Sequence, residues 1–155
     1  MAFYCPANSR DAGQRAEMDR LDRAGVCLFC PEHLARERVL SRTTWWSVTE
    51  NAYPYAGTRL HLLLIPTVHA AELLHLPEPA RADLWTALEW VRGRHALDFY
   101  GLGLRSGNCA YTGGTIEHLH LHVIVGDVAD PGHEPVLLKL SSRPDRPAEE
   151  TEAPA

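Results

Sequence analysis

Three histidines spaced two residues apart, His118, His120 and His122, alternate with Leu119, Leu121 and Val123. Such alternation predicts a half-buried β-strand, because successive side chains point to opposite faces. The imidazoles then share one face and the apolar residues turn toward a core. Histidine titrates closest to neutrality, so it serves as base, nucleophile or neutral metal ligand without drastic tuning. Three of them in register on one rigid element make a prepositioned reactive surface. The bland alternative is a surface strand in a chain that holds nine His. Against it stands the loop 107–114 (GNCAYTGG) just upstream, whose glycines allow positive φ and close approach of backbone to a phosphate.

Cys27 and Cys30 form a C-x-x-C pair. Two thiolates on a tight knuckle, completed by two more ligands, would make a tetrahedral Zn²⁺ site. A pair of half-buried thiols or a redox couple satisfies the same spacing. His33, His61, His75, His95 and His133 have no comparable company and read as surface or partly buried residues; His61 opens an apolar strand.

The elements that must position these groups can be read in order. Residues 9–24 are charged and helix-compatible, with Ser9 or Asp11 as N-cap and Gly25 as the stop. Pro31 opens a short helix to about Arg38. Segments 39–50 and 60–65 read as an antiparallel strand pair joined by a long loop around Tyr53-Pro54-Tyr55. After Pro77-Glu78-Pro79, residues 80–96 carry the longest helical pattern, with Leu84, Leu88 and Val91 in one stripe and Trp85 alongside. Gly101–Leu104 makes a further short strand, the His strand follows, and 136–140 (VLLKL) reads as a last one. From Ser141 onward the Ser, Pro, Arg and Glu composition predicts a disordered tail. Strands in succession around one long helix predict an α+β fold, an antiparallel sheet with helices packed on one face. The expected organisation is an N-terminal extension over 1–25, a domain over 26–140 and a tail over 141–155.

With 155 residues, 45% hydrophobic and 23% charged, the chain has the size and composition of one globular domain. A net charge of −5 gives no footprint for a nucleic acid polymer, so a small anion must be held by local donors. The longest apolar run, Leu62–Ile65, is too short for a membrane span. The first residues show no secretory pattern, so a cytoplasmic address is expected.

His118-x-His120-x-His122 followed by Val123-Ile124 resembles the signature of the histidine triad (HIT) nucleotide hydrolases and transferases. Cys27-x-x-Cys30 near the start is similar to many bacterial members, His61–His69 resembles the family strand with its Pro and downstream His, and Gly113–His118 resembles the loop entering the triad. The resemblance spans roughly residues 26–126. It implies a HIT-like α+β fold, a homodimer and a nucleotide substrate. It implies His120 as nucleophile, with His122 and Thr115 serving the phosphate, and Asn51, Asn108 and Gly114 as further substrate contacts. It also implies a structural zinc on Cys27, Cys30, His69 and His118.

The expected reaction removes a nucleoside 5′-monophosphoryl group, AMP above all, from a phosphoanhydride, phosphoramidate or phosphoester through a nucleotidyl-histidine. A biosynthetic nucleotidyltransferase or phosphorylase, and a non-catalytic zinc-stabilised nucleotide-binding protein, are the alternatives. A catalytic zinc held by the triad itself is weaker, because the Cys pair offers a better home. Two departures bear on the acceptor: Gly114 stands where many hydrolase members carry Gln, and the loop between Pro54 and His61 is longer. His122 at the third triad position, rather than Gln, favours the hydrolase-like branches.

Overall fold

A computed structural model describes residues 2–143. Asp11 lies in extended backbone, and its carboxylate accepts from the Gln14 N–H at 2.7 Å, so it caps helix α1 (Ala12–Ala24). Gly25, at φ 65°, closes that helix in the left-handed region. Where Pro31 was expected to open a helix, the chain makes turns and a 3-10 turn at Arg36–Arg38. The Cys30 carbonyl accepts from both His33 and Leu34, which folds the segment back on the Cys pair.

The single strand expected over 39–50 is instead a hairpin of β1 (Val39–Arg42) and β2 (Trp46–Glu50). Its turn is stapled by a side chain the local pattern does not reveal. Asp83 accepts from the Thr43 hydroxyl at 2.6 Å and from the Trp45 N–H at 2.9 Å, while Thr43 Oγ1 accepts from the Trp46 N–H. Then follow β3 (Thr58–Pro66), helix α2 (Glu78–Arg94), β4 (Gly101–Leu104), the single turn α3 (Cys109–Thr112) and β5 (Leu121–Gly126). The sheet runs β1-β2-β3-β5-β4, and every pairing is antiparallel. No strand forms over 136–140. In that stretch the Lys139 carbonyl instead accepts from the Arg105 Nε at 2.7 Å, and just beyond it the Ser142 N–H donates to the Tyr111 carbonyl. Most of the expected tail lies outside the described residues.

Alternation divides the sheet into two faces. Trp46, Val48, Leu62, Leu64, Leu121, Val123 and Val125 turn toward α2, whose Ala80, Ala87, Leu88 and Val91 close the main core; Trp85 faces solvent. The opposite face carries Leu63, Ile65 and the histidines, covered by Phe29 and Leu34 of the Cys segment. Helix α1 packs through Met18 and Leu21 on Tyr4 and Ile116 rather than on the sheet itself. Cys5 and Cys109, joined by no local pattern, form a disulfide across 104 residues. Among the described residues no helix is long and apolar enough to cross a membrane.

Candidate active site

β5 begins only at Leu121, so His118 and His120 lie on its approach, yet the alternation persists through them. Leu119 is buried in the main core, while His118, His120 and His122 share the other face. Each imidazole has a distinct neighbourhood. A carbonyl oxygen only accepts, so the hydrogen bond from His120 Nδ1 to the His118 carbonyl at 2.7 Å puts the proton on Nδ1. His120 Nε2 is then an unprotonated lone pair. Burial, together with the Arg105 charge, holds this imidazole down to about 4, so it is neutral at physiological pH.

His122 is oriented by a relay. The Tyr55 N–H donates to His61 Nδ1 at 3.1 Å, which leaves the His61 proton on Nε2. That N–H donates to His122 Nδ1 at 2.8 Å, and the His122 proton therefore resides on Nε2. His61 can reach because β3 pairs with β5 and the Leu63–His122 register makes the two histidines diagonal neighbours. Burial lowers His61 to about 4 and pushes His122 lower still, with neighbouring imidazoles and Arg105 adding to the effect. Tyr55 lies against both rings, 4.5 Å from His61 and 5.4 Å from His122 between centroids.

His120, His122 and Tyr55 open onto a cavity of about 1090 Å³, also lined by Asn51, Tyr53, Arg105, Thr115 and Lys139, while His61 lies behind them, outside the lining. The Asn51 Oδ1 accepts from the Tyr53 N–H at 2.9 Å, and its amide nitrogen lies against the His61 ring. Thr115 is half-buried at the cavity wall, while its carbonyl accepts from the Cys5 N–H at 2.8 Å. Gly113 is in the left-handed region at φ 81°, where a Cβ would meet Lys139 Cε at 2.9 Å. Gly114 is buried beside the cavity and outside its lining. Asn108 is not brought to this cluster: it is exposed and caps α3, accepting from the Ala110 N–H at 2.9 Å. His61, Tyr55 and Arg105 were not assigned from the sequence. Only the strand pairing reveals His61, and no sequence signal marks the other two.

Cys27, Cys30, His69 and His118 gather their ligand atoms within 4.8 Å of one another. The Cys27 Sγ and Cys30 Sγ stand 3.4 Å and 3.7 Å from His118 Nδ1, and Cys30 Sγ is 3.4 Å from His69 Nδ1. A tetrahedral zinc with ordinary bond lengths separates its S and N ligands by about 3.5 Å. His118 Nε2 donates to the Pro66 carbonyl at 2.9 Å, which turns the Nδ1 lone pair toward the thiols as a ligating imidazole requires. Burial, with Cys27 beside it, pushes the Cys30 thiol up to about 12, so a bound cation would displace a proton. This cluster can bind a metal ion. Phe29, between the two cysteines, meets His120 edge-on at 5.1 Å between centroids and ties the knuckle to the face that carries the triad.

Residues 53–129 match the HIT domain family, and the chain belongs to it. Among solved structures, it is similar to a HIT family hydrolase from Clostridium thermocellum at 23% identity and a TM-score of 0.55, covering 68% of this chain and 94% of that one. A histidine triad nucleotide-binding protein from Candida albicans gives 20% identity and a TM-score of 0.55, over 66% of this chain and 75% of the other. The diadenosine triphosphate hydrolase of Plasmodium falciparum gives 19% and 0.52, over 63% and 66%. At these identities the likeness is one of fold. No curated protein matches the chain.

Proposed function

We propose that this protein is a nucleotide-processing enzyme that removes a nucleoside 5′-monophosphoryl group, AMP above all, from a phosphoanhydride, phosphoramidate or phosphoester. The observation that carries the reading is the pair of tautomers: His120 directs a lone pair, and His122 an N–H, to the same cavity. His120 Nε2 attacks the α-phosphorus, and the bond to the leaving group breaks with its electron pair departing on that group. A nucleotidyl-histidine results. Water then attacks phosphorus, releases the nucleotide, gives up a proton and restores the neutral imidazole. His122 and Thr115 hold charge on the non-bridging oxygens, where catalysis of phosphoryl transfer is mostly positioning and stabilisation. Asn51 would take the ribose hydroxyls.

In the same reading the metal is a structural zinc that pins the Cys segment beside His120. The assembly is a homodimer; β4 is an open sheet edge with Leu102 46% exposed. Intact-mass measurement after rapid quench, with diadenosine polyphosphate or adenosine phosphoramidate as substrate, tests the chemistry. A mass increase of one nucleotidyl group on the wild type and none on His120→Ala is expected. Normal turnover by His120→Ala would overturn the mechanism.

A further inference from the structure

Arg105 follows β4 and is half-buried at the cavity wall. Its guanidinium is held on two sides: Nε donates to the Lys139 carbonyl at 2.7 Å and Nη2 to the Tyr55 hydroxyl at 3.2 Å. Nη1 is left facing His122 Nε2 at 3.4 Å. A guanidinium has five N–H donors and no acceptor. The relay from Tyr55 through His61 has already placed the His122 proton on Nε2. Two donors therefore aim at one small volume and cannot bond each other. The group able to satisfy both is an acceptor, and an anion in particular.

Two further observations agree. Among the described residues no carboxylate forms an ion pair with Arg105, so none of them neutralises its charge. A Cβ on Gly114 would already touch Arg105 Cδ at 3.4 Å, so a larger side chain there would compete for the room that the arginine stem occupies. In a chain of net charge −5, an anionic substrate needs such a fixed local cation.

We propose that Arg105 is a further catalytic residue, which grips a phosphoryl oxygen jointly with His122 and carries the charge that builds there as His120 attacks. Tyr55 and the Lys139 carbonyl position it through the two bonds that fix the guanidinium plane. A planar fork held at two nitrogens leaves a third donor with defined direction, which the point charge of a lysine does not reproduce. The inference rests on the nucleotide reading above for the identity of the ligand and for the attack by His120, whereas the anion grip rests on the geometry of Arg105 and His122.

The test measures binding of AMP, adenosine and inorganic phosphate to wild type, Arg105→Gln and Arg105→Lys, with thermal melting to confirm folding. Arg105→Gln should bind AMP about 10- to 100-fold more weakly while adenosine binding stays within twofold, since one charge-assisted bond to the phosphate is lost. Arg105→Lys should recover part of that affinity. With an active substrate, kcat for Arg105→Gln should fall by about 100- to 1,000-fold, the size expected for losing one donor to developing charge. Equal losses for AMP and adenosine would make the residue structural and overturn the proposal, as would unchanged AMP binding. Inorganic phosphate separates this from the broader reading. If it shifts the His122 ring resonances in wild type but not in Arg105→Gln, while AMP and adenosine do not bind, the anion site stands and the nucleotide reading falls. No phosphate response in wild type overturns the anion site itself.

Discussion

At the scale of single residues the site gathers neutral imidazoles whose tautomers are set by backbone. Two carbonyls, those of Pro66 and His118, and one amide, that of Tyr55, decide which nitrogen of each ring carries the proton. His61 is 5% exposed and held to about 4 mainly by burial. Its pKa is depressed on folding, so the unfolded chain binds more protons between the ordinary histidine value and about 4. Stability contributed by neutral His61 is present above that ordinary value and is lost as pH falls toward the folded value. The unfolding free energy should therefore drop through this window, and His61→Phe should flatten the slope by as much as about 1.4 kcal/mol per pH unit. Melting curves between pH 7 and 4.5 check this, and a slope identical to wild type would remove His61 from the account. The same variant should cut turnover, because His122 Nδ1 loses the donor that fixes its ring. The triad and the Cys pair were legible in the sequence, since each rests on short, regular spacing. Arg105 and Tyr55 were not, because their roles depend on where the ends of distant strands meet.

At the scale of elements, the Cys segment and the triad strand act as one unit. His118 is bonded to Pro66 at the end of β3, faces Cys27 and Cys30, and lies two residues from His120, while Phe29 covers both rings. Loss of the metal should therefore be felt at His120. Elemental analysis should find about one zinc per chain, and Cys27→Ser should lower both the zinc content and the melting temperature. Metal-free protein of full stability would refute the structural role. Binding of another ion at the same stoichiometry would correct only its identity. The alternating and helical patterns made β3, α1, α2 and the faces of the sheet readable in advance. The β1–β2 hairpin reads as one strand in the sequence because its turn depends on Asp83, 40 residues away in sequence from Thr43. The strand expected over 136–140 fails for the converse reason. Its Leu138 packs onto Gly103, while the Lys139 carbonyl accepts from the Arg105 side chain instead of from a neighbouring strand.

At the scale of the whole molecule, the family match begins at residue 53, yet the segment before it is built into the loop that leads to the triad. Tyr4 bridges Ile116, the Glu117 N–H donates to the Phe3 carbonyl, and Asn8 Nδ2 donates to the carbonyls of Cys109 and Gly114. Arg10 continues the wall, with its guanidinium 4.4 Å over the Tyr55 ring and its N–H groups on the carbonyls of Tyr53 and Pro54. The Cys5–Cys109 disulfide locks this seam, and a reducing compartment of the kind expected from the sequence would open it. Closing a loop of 104 residues removes so much freedom from the unfolded chain that the bond should contribute about 4–5 kcal/mol by the chain-entropy account. Unreduced protein, denatured with a chelator present, should show two titratable thiols, those of Cys27 and Cys30, and four after treatment with a dithiol. Cys5→Ser should lower the melting temperature, and it should weaken nucleotide binding further by freeing the wall that carries Asn8 and Arg10. Four thiols without reductant, and a Cys5→Ser protein as stable as wild type, would show that the seam is held by its hydrogen bonds and apolar contacts alone.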